Sequence, residues 1–311
     1  MSPAASTDES DHAPSTALPS TALPSTALPS TALPSTALPS IALLGAGSMG
    51  RAILSGLLAP GVEVQGGIRV TNRSAAKAAD LDGTAGVTAF ATDDDPEANR
   101  KAVSGAAIVL VAVKPAMVPD LLDEIADALD DGAIVVSVAA GVTVSTFEKH
   151  LPASVSVIRS MPNTPAVVGR AVTGLSAGTR SSAEELALVR SLFETVGTVV
   201  EVPESQLDAL STISGSGPAY VYLLIEALTE AAVQKGFTAE QAAELVNGTF
   251  AGAAELLVRS GETPTDLRIQ VTSPKGTTER ALAVLQEADL PELFGRATDA
   301  ALARARELAA G

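Results

Sequence analysis

The sequence predicts an α/β fold in which a doubly wound, mostly parallel sheet is followed by an all-helical segment. Three observations carry that prediction. Short β-branched runs alternate with helical stretches from residue 41 to about residue 202, a glycine turn joins the first run to the first helix, and strand-like runs stop at Glu204. Alternation of this kind requires crossover connections, which cover a parallel sheet on both faces. The 311-residue chain has room for two domains of ordinary size.

A tail comes first. Residues 15–39 are five consecutive copies of Ser-Thr-Ala-Leu-Pro. A proline every five residues removes amide donors and blocks helix and central strand. One leucine per copy offers little apolar surface against the entropy of ordering. Residues 1–40 are therefore expected to be disordered, residues 41–203 to form the sheet domain and residues 204–311 the helical one. Strands are expected at 41–44, 68–71, 87–91, 108–113, 134–138, 155–159, 172–176 and 198–202. The helical patterns between them fall at 51–58, 74–81, 97–104, 118–129, 144–150 and 182–196. Beyond Glu204 the helices are expected at 218–235, 239–260, 264–271, 278–287 and 291–308.

Composition narrows the chemistry. There is no cysteine, hence no disulfide framework, thiolate metal site or thiol nucleophile. Of the two histidines, His12 lies in the polar tail, so His150 alone is available to a folded core. A zinc site of several imidazoles is excluded, no metal is expected, and a serine triad has one histidine to recruit. Thirty-six acidic against 20 basic side chains give a formal charge of −16 with no basic cluster, which argues against a nucleic-acid partner. An anionic ligand must then be met by a local pocket of backbone amides or chosen cations. No apolar stretch reaches the roughly 18 residues of a membrane helix. The start, Met-Ser-Pro-Ala-Ala-Ser-Thr-Asp-Glu-Ser-Asp-His, is acidic where a secretory signal is basic and then apolar. A soluble cytoplasmic protein is expected.

The strongest local motif is Gly45-Ala46-Gly47-Ser48-Met49-Gly50, set between a strand and a helix. In that context the first glycine permits a tight turn, the second lets backbone approach a pyrophosphate, and the third lets helix and strand pack closely. After the second strand comes Val70-Thr71-Asn72-Arg73-Ser74, with no carboxylate to bond a ribose hydroxyl pair. Asn72 and Arg73 suit a 2′-phosphate, which favours NADPH, with NADH as the alternative; Arg73 also reads as a solvated charge before a helix. Ala112-Val113-Lys114-Pro115, Ala139-Ala140-Gly141 and Ser160-Met161-Pro162-Asn163-Thr164-Pro165 follow later strands, on the edge where open α/β sheets bind ligands, and read equally as turns. Ser214-Gly215-Ser216-Gly217-Pro218-Ala219-Tyr220 reads as a helix start at the domain junction. Thr272-Ser273-Pro274-Lys275-Gly276-Thr277-Thr278-Glu279 opens another helix, where free amides beside two hydroxyls can hold a small carboxylate; an ordinary capped helix has the same pattern.

Together these stretches resemble the pyrroline-5-carboxylate reductases. Residues 45–50, 112–115, 137–143, 161–166, 214–220 and 272–278 carry the resemblance, which spans the chain from Ile41 to about Leu308. It implies a Rossmann-like NADPH-binding domain, followed by a helical dimerisation domain that interlocks with a second subunit, the dimers often assembling further. It also implies hydride transfer to the imine carbon of 1-pyrroline-5-carboxylate, giving proline. By position, Gly45, Ala46, Gly47, Ser48, Met49, Gly50, Asn72, Asn99, Ala112, Val113 and Lys114 fall where the family contacts its cofactor, Arg73 being added on the 2′-phosphate argument. Ser273, Gly276, Thr277 and Thr278 fall on the substrate loop, with the Thr278 hydroxyl beside the ring nitrogen as the catalytic candidate. Two positions depart from the family pattern: Lys275 replaces a glycine, and Ile269 stands where an aspartate is common. A positive φ at Lys275 costs on the order of 1 kcal/mol. Two other readings use the same layout, a hydroxyacid or ketopantoate-type reductase and an NADPH sensor without turnover. The first needs a lysine donor on the helical domain, for which Lys235, at a helix end before Gly236, is poorly placed.

Overall fold

The computed structural model describes residues 36–309. Among the described residues there are ten strands: β1 (Thr36–Leu38), β2 (Ile41–Leu44), β3 (Val62–Val64), β4 (Ile68–Asn72), β5 (Val87–Ala91), β6 (Ile108–Val111), β7 (Ile134–Ser137), β8 (Ser156–Met161), β9 (Ala171–Ala177) and β10 (Gly197–Glu201). Eight of them form one sheet in the order β10-β9-β8-β7-β6-β2-β4-β5, parallel throughout except where β8 meets β9. Strand β2 is flanked by β4 on one side and β6 on the other, with Ile41 opposite Ile68 and Ile108. The chain order reverses there, leaving a crevice at the strands' C-terminal ends.

Strand residues alternate between two cores, as the two-residue period requires. Ile41, Leu43, Ile108 and Leu110 join Ile53, Leu57, Leu192 and Phe193 on one face. Ala42, Leu44, Val109 and Val111 join Val103, Leu122, Ile125 and Phe147 on the other. The helices supplying the first face are α1 (Ser48–Leu57) and, later, α6 (Ala183–Glu194). The second face takes α3 (Ala98–Val103), α4 (Val118–Ile125) and α5 (Val144–His150), with the short α2 (Ala75–Ala79) between α1 and α3 in the chain. With both faces covered, the central strands β2 and β6 are apolar at every position rather than at every second one.

The expected disorder of residues 1–40 is corrected at its end. Thr36, Ala37 and Leu38 of the fifth copy pair in parallel with Val62, Glu63 and Val64. Leu38 is 1% exposed and belongs to the first core. A single leucine is too little to order an isolated repeat, but this one is tethered beside a preformed apolar face. The preceding copies lie outside the described residues.

From Glu204 on, the chain forms α7 (Glu204–Leu210), a π-helical turn (Ser211–Gly215), α8 (Gly217–Gln234), α9 (Ala239–Ser260), α10 (Pro264–Gln270), α11 (Thr277–Gln286) and α12 (Leu290–Ala309). Local signals set several ends. Thr238 and Gln241 form a capping box at the start of α9, Gly261 ends it at φ +69°, and Thr263 caps α10 with Pro264 at its first position. Among the described side chains of this half, Leu207, Thr212, Ala242 and Val246 alone are buried.

Candidate functional site

The glycine turn separates into two roles. Gly45 and Ala46 donate to the Thr71 carbonyl at 3.1 and 3.2 Å, which ties the turn to β4. Gly45 has φ +94°, and a Cβ there would lie 2.9 Å from the Ala112 carbonyl oxygen and 3.0 Å from Val113 Cγ1. At Gly50 a Cβ would sit 2.4 Å from the Gly45 carbonyl oxygen. These two glycines are required by the protein's own packing. At Gly47, by contrast, nothing among the described residues lies within 4 Å of an added Cβ, so its backbone faces open space. Gly47 is also the N-cap of α1, and no side chain caps that helix. The first amides of α1 are therefore directed at a cradle suited to an anion, with Ser48 exposed beside it and Met49 packed inward.

The neighbouring candidates lie along the same edge. Ala112 follows β6, and its amide bonds the Leu44 carbonyl at 2.9 Å; Val113 is half-buried and Lys114 exposed. Asn72 ends β4, buried, its side-chain amide 3.4 Å from the Lys77 carbonyl of α2. Arg73 is exposed and makes no ion pair among the described residues. Asn99 stands in the first turn of α3, where its amide nitrogen donates to the Glu124 carboxylate at 3.1 and 3.3 Å. Nearby, the Lys101 ammonium holds the Asp95 carboxyl below the usual carboxylate range, helped by the Glu97 amide.

The second candidate loop has a backbone built for glycine and a lysine in it. Lys275 adopts φ +61°. Gly276 donates to the Ser273 carbonyl at 3.0 Å, and a Cβ on it would meet Ser273 Oγ at 2.4 Å, so this glycine is needed for close approach. The Lys275 amide donates to Glu279 Oε2 at 2.7 Å, reaching across the first turn of α11. Gly276 is the N-cap of α11 without a side-chain cap. Thr277, exposed, and Thr278, half-buried, open the helix, and their hydroxyls have no hydrogen-bond partner among the described residues. Ile269 is exposed on α10, and Lys235 is exposed at the end of α8.

The structure thus brings the glycine turn, Asn72, Arg73 and Ala112 to Lys114 onto one edge. It does not join the 272–278 loop to them: the hydrogen bonds of that loop among the described residues are all local.

Sequence reasoning missed a polar junction between the halves. Arg159 of β8, 5% exposed, meets Asp208 Oδ1 at 2.7 Å and Glu204 Oε1 at 3.4 Å, both on α7. Glu204 Oε1 also accepts the Val144 amide at 2.6 Å, the first amide of α5. Asn163 uses both ends of its side chain, accepting the Val172 amide and donating to the Ser214 carbonyl, each at 2.9 Å. An arginine at the end of the expected strand 155–159 was the available signal for the first contact. The π-helical turn had none.

Comparison with known proteins agrees with both halves. The family described as "Pyrroline-5-carboxylate reductase dimerisation" matches residues 204–308, and the one described as "NADP oxidoreductase coenzyme F420-dependent" matches residues 40–141. A pyrroline-5-carboxylate reductase of Corynebacterium melassecola is 39% identical over 265 residues, covering 84% of this chain and 96% of the relative. One of Mycobacterium tuberculosis is 40% identical over 285 residues, covering 84% and 94%. The solved structure of a pyrroline-5-carboxylate reductase from Coxiella burnetii superposes with a TM-score of 0.79 at 39% identity, covering 86% of this chain and 97% of that one. Among the described residues no helix is long and apolar enough to cross a membrane. The two halves, in the order found here and over nearly the full length of these relatives, place the chain in the pyrroline-5-carboxylate reductase family.

Proposed function

We propose that the protein reduces 1-pyrroline-5-carboxylate to L-proline with NADPH, as the last step of proline synthesis, and works as a homodimer or an assembly of dimers. The observation that carries the reading is the pairing of two uncapped helix starts: one behind a glycine cradle on the sheet, the other behind two threonines on the helical half. Each suits an anion, and the substrate and cofactor are both anions.

When bound, NADPH supplies the hydride that adds to the imine carbon. On the protein side, the amides at the start of α1 hold the pyrophosphate at Gly47, and Arg73 with Asn72 meets the 2′-phosphate. Ala112 to Lys114 form the wall next to the cradle. On the helical half, the amides of Thr277 and Thr278 hold the substrate carboxylate. The Thr278 hydroxyl orients the ring nitrogen, which keeps its proton as the C=N electron pair moves onto it. A protonated imine is already electrophilic, so positioning can supply most of the rate and no strong acid is required. This fits a set of candidate site residues that includes no histidine.

Self-association is supported by the apolar surface of the helical half. Val221, Leu224 and Leu228 form an exposed stripe on α8, and an apolar groove of about 550 Å³ runs between α9 and α10, lined by Phe250, Leu256, Leu257, Leu267 and Val271. A second copy of the chain is the partner that covers them. A cytoplasmic setting suits a reaction that draws on a pool of reduced nicotinamide.

The test is to mix protein, NADPH and 1-pyrroline-5-carboxylate and follow the nicotinamide absorbance together with proline. Oxidation of NADPH matched by proline is expected. Binding of NADPH without oxidation would overturn the assignment.

A further inference from the structure

Two contacts fix where the helical half begins, one from β8 and one from the loop just after it. The Asn163 amide bridges the β9 backbone to Ser214, in the π-helical turn. Four residues earlier, Arg159 is buried between two carboxylates of α7, one turn of helix apart. Glu204 and Asp208 on one face of α7 would repel each other without a cation between them. The planar guanidinium serves both, one nitrogen to each carboxylate, which a single ammonium cannot do with the same geometry. Glu204 in turn reaches the first amide of α5, whose N-cap Thr143 ends the loop leaving β7 at the ligand edge of the sheet. A carboxylate at two helix starts is held there by both dipoles.

The chain of contacts therefore runs from the sheet edge through Arg159 to α7. From α7 it continues through the π-helical turn into α8 and the helices that carry the threonine loop. We propose that Arg159 is a positioning residue for the reaction. By clamping Glu204 and Asp208 it sets the angle at which the helical half leaves the sheet, and hence the distance between hydride donor and imine once both are bound. This inference rests on the reduction proposed above. It touches neither the glycine cradle nor the threonine loop, so its effect must appear in turnover and not in cofactor binding.

The experiment uses the full chain and begins with wild-type turnover, whose absence would defeat the proposed reaction itself. Against an active wild type, Arg159→Lys keeps the charge and loses the fork. The expected result is a fall in kcat of about tenfold and a raised KM for 1-pyrroline-5-carboxylate, with NADPH affinity unchanged and the protein still folded at the assay temperature. Asp208→Asn, a milder change that keeps the Glu204 contact, should lower kcat in the same direction by a smaller factor, and it carries the test if Arg159→Lys does not fold. Wild-type kcat and KM in the folded variants would overturn the proposal. So would a loss of turnover accounted for by a loss of NADPH binding or of folded protein at the assay temperature.

Discussion

The two halves of this chain bury their apolar residues in opposite ways. In the sheet half, strands and helices enclose two cores with Phe147, Phe193, Ile53 and Leu122 fully buried. In the helical half, Leu223 is 64% exposed and Leu224 48%, and helices of up to 22 residues meet chiefly through α8 and α9. The difference is one of completeness. The sheet half finishes its interior within one chain, whereas the helical half has spent its apolar residues on a surface that only another molecule can cover. Cofactor binding should then belong to the single chain and turnover to the assembly.

Leu224→Asp puts a charge into the α8 stripe and is expected to have the largest effect, splitting the assembly and abolishing turnover while NADPH still binds. Sedimentation and reduced-nicotinamide fluorescence read the two outcomes; a dimeric, active variant would remove the stripe from the interface. Thr278→Ala should leave assembly and NADPH binding intact and lower kcat by about a hundredfold, as expected for a lost orienting hydrogen bond in the reacting complex. Unchanged kinetics would exclude the hydroxyl from the mechanism. Arg73→Ala should weaken NADPH by about tenfold and NADH hardly at all, since the guanidinium has only the 2′-phosphate to recognise; equal losses would mean it is a solvated charge. Lys275→Gly relieves the left-handed backbone at φ +61° and should raise stability by about 1 kcal/mol, less the entropy a glycine adds to the unfolded chain. A fall in turnover would instead give the ammonium a place in the site.

An effect of comparable size belongs to the sheet half. Burial tends to raise the Glu185 carboxyl, but hydrogen bonds from the Ser182 amide, Ser156 Oγ and Ser182 Oγ outweigh it and hold the group below its ordinary value. A lowered folded-state pKa contributes stability above the unfolded pKa, and that contribution is lost as pH falls through the folded one. Glu185→Gln should therefore cost about 1 kcal/mol near neutrality and progressively less in acid, measured by denaturation at several pH values.

Much of this was legible in the sequence because its signals are local. Continuous apolar runs located the central strands, helical patterns over 182–196 and 239–260 located two helix starts that the structure shows capped by Ser182 and Thr238, and the glycine spacing located the cradle. The short β3 escaped because three residues between glycine-rich turns carry no periodicity, and β1 because its order depends on the core it borders. The Arg159 junction escaped for a related reason: its partners lie 45 and 49 residues away, and only the fold brings them together. The strained φ at Lys275 was anticipated as a condition, since a glycine-like turn can be read from its neighbours while the conformation itself cannot.

The central claim is that a hydride passes from a cofactor held by the sheet half to an imine held by the helical half. It is tested most directly with NADPH deuterated at both C4 positions and unlabelled 1-pyrroline-5-carboxylate, followed by mass analysis of the product. Proline carrying one deuterium, at the carbon that was part of the imine, is expected. Proline without deuterium, or oxidised cofactor without proline, would contradict it.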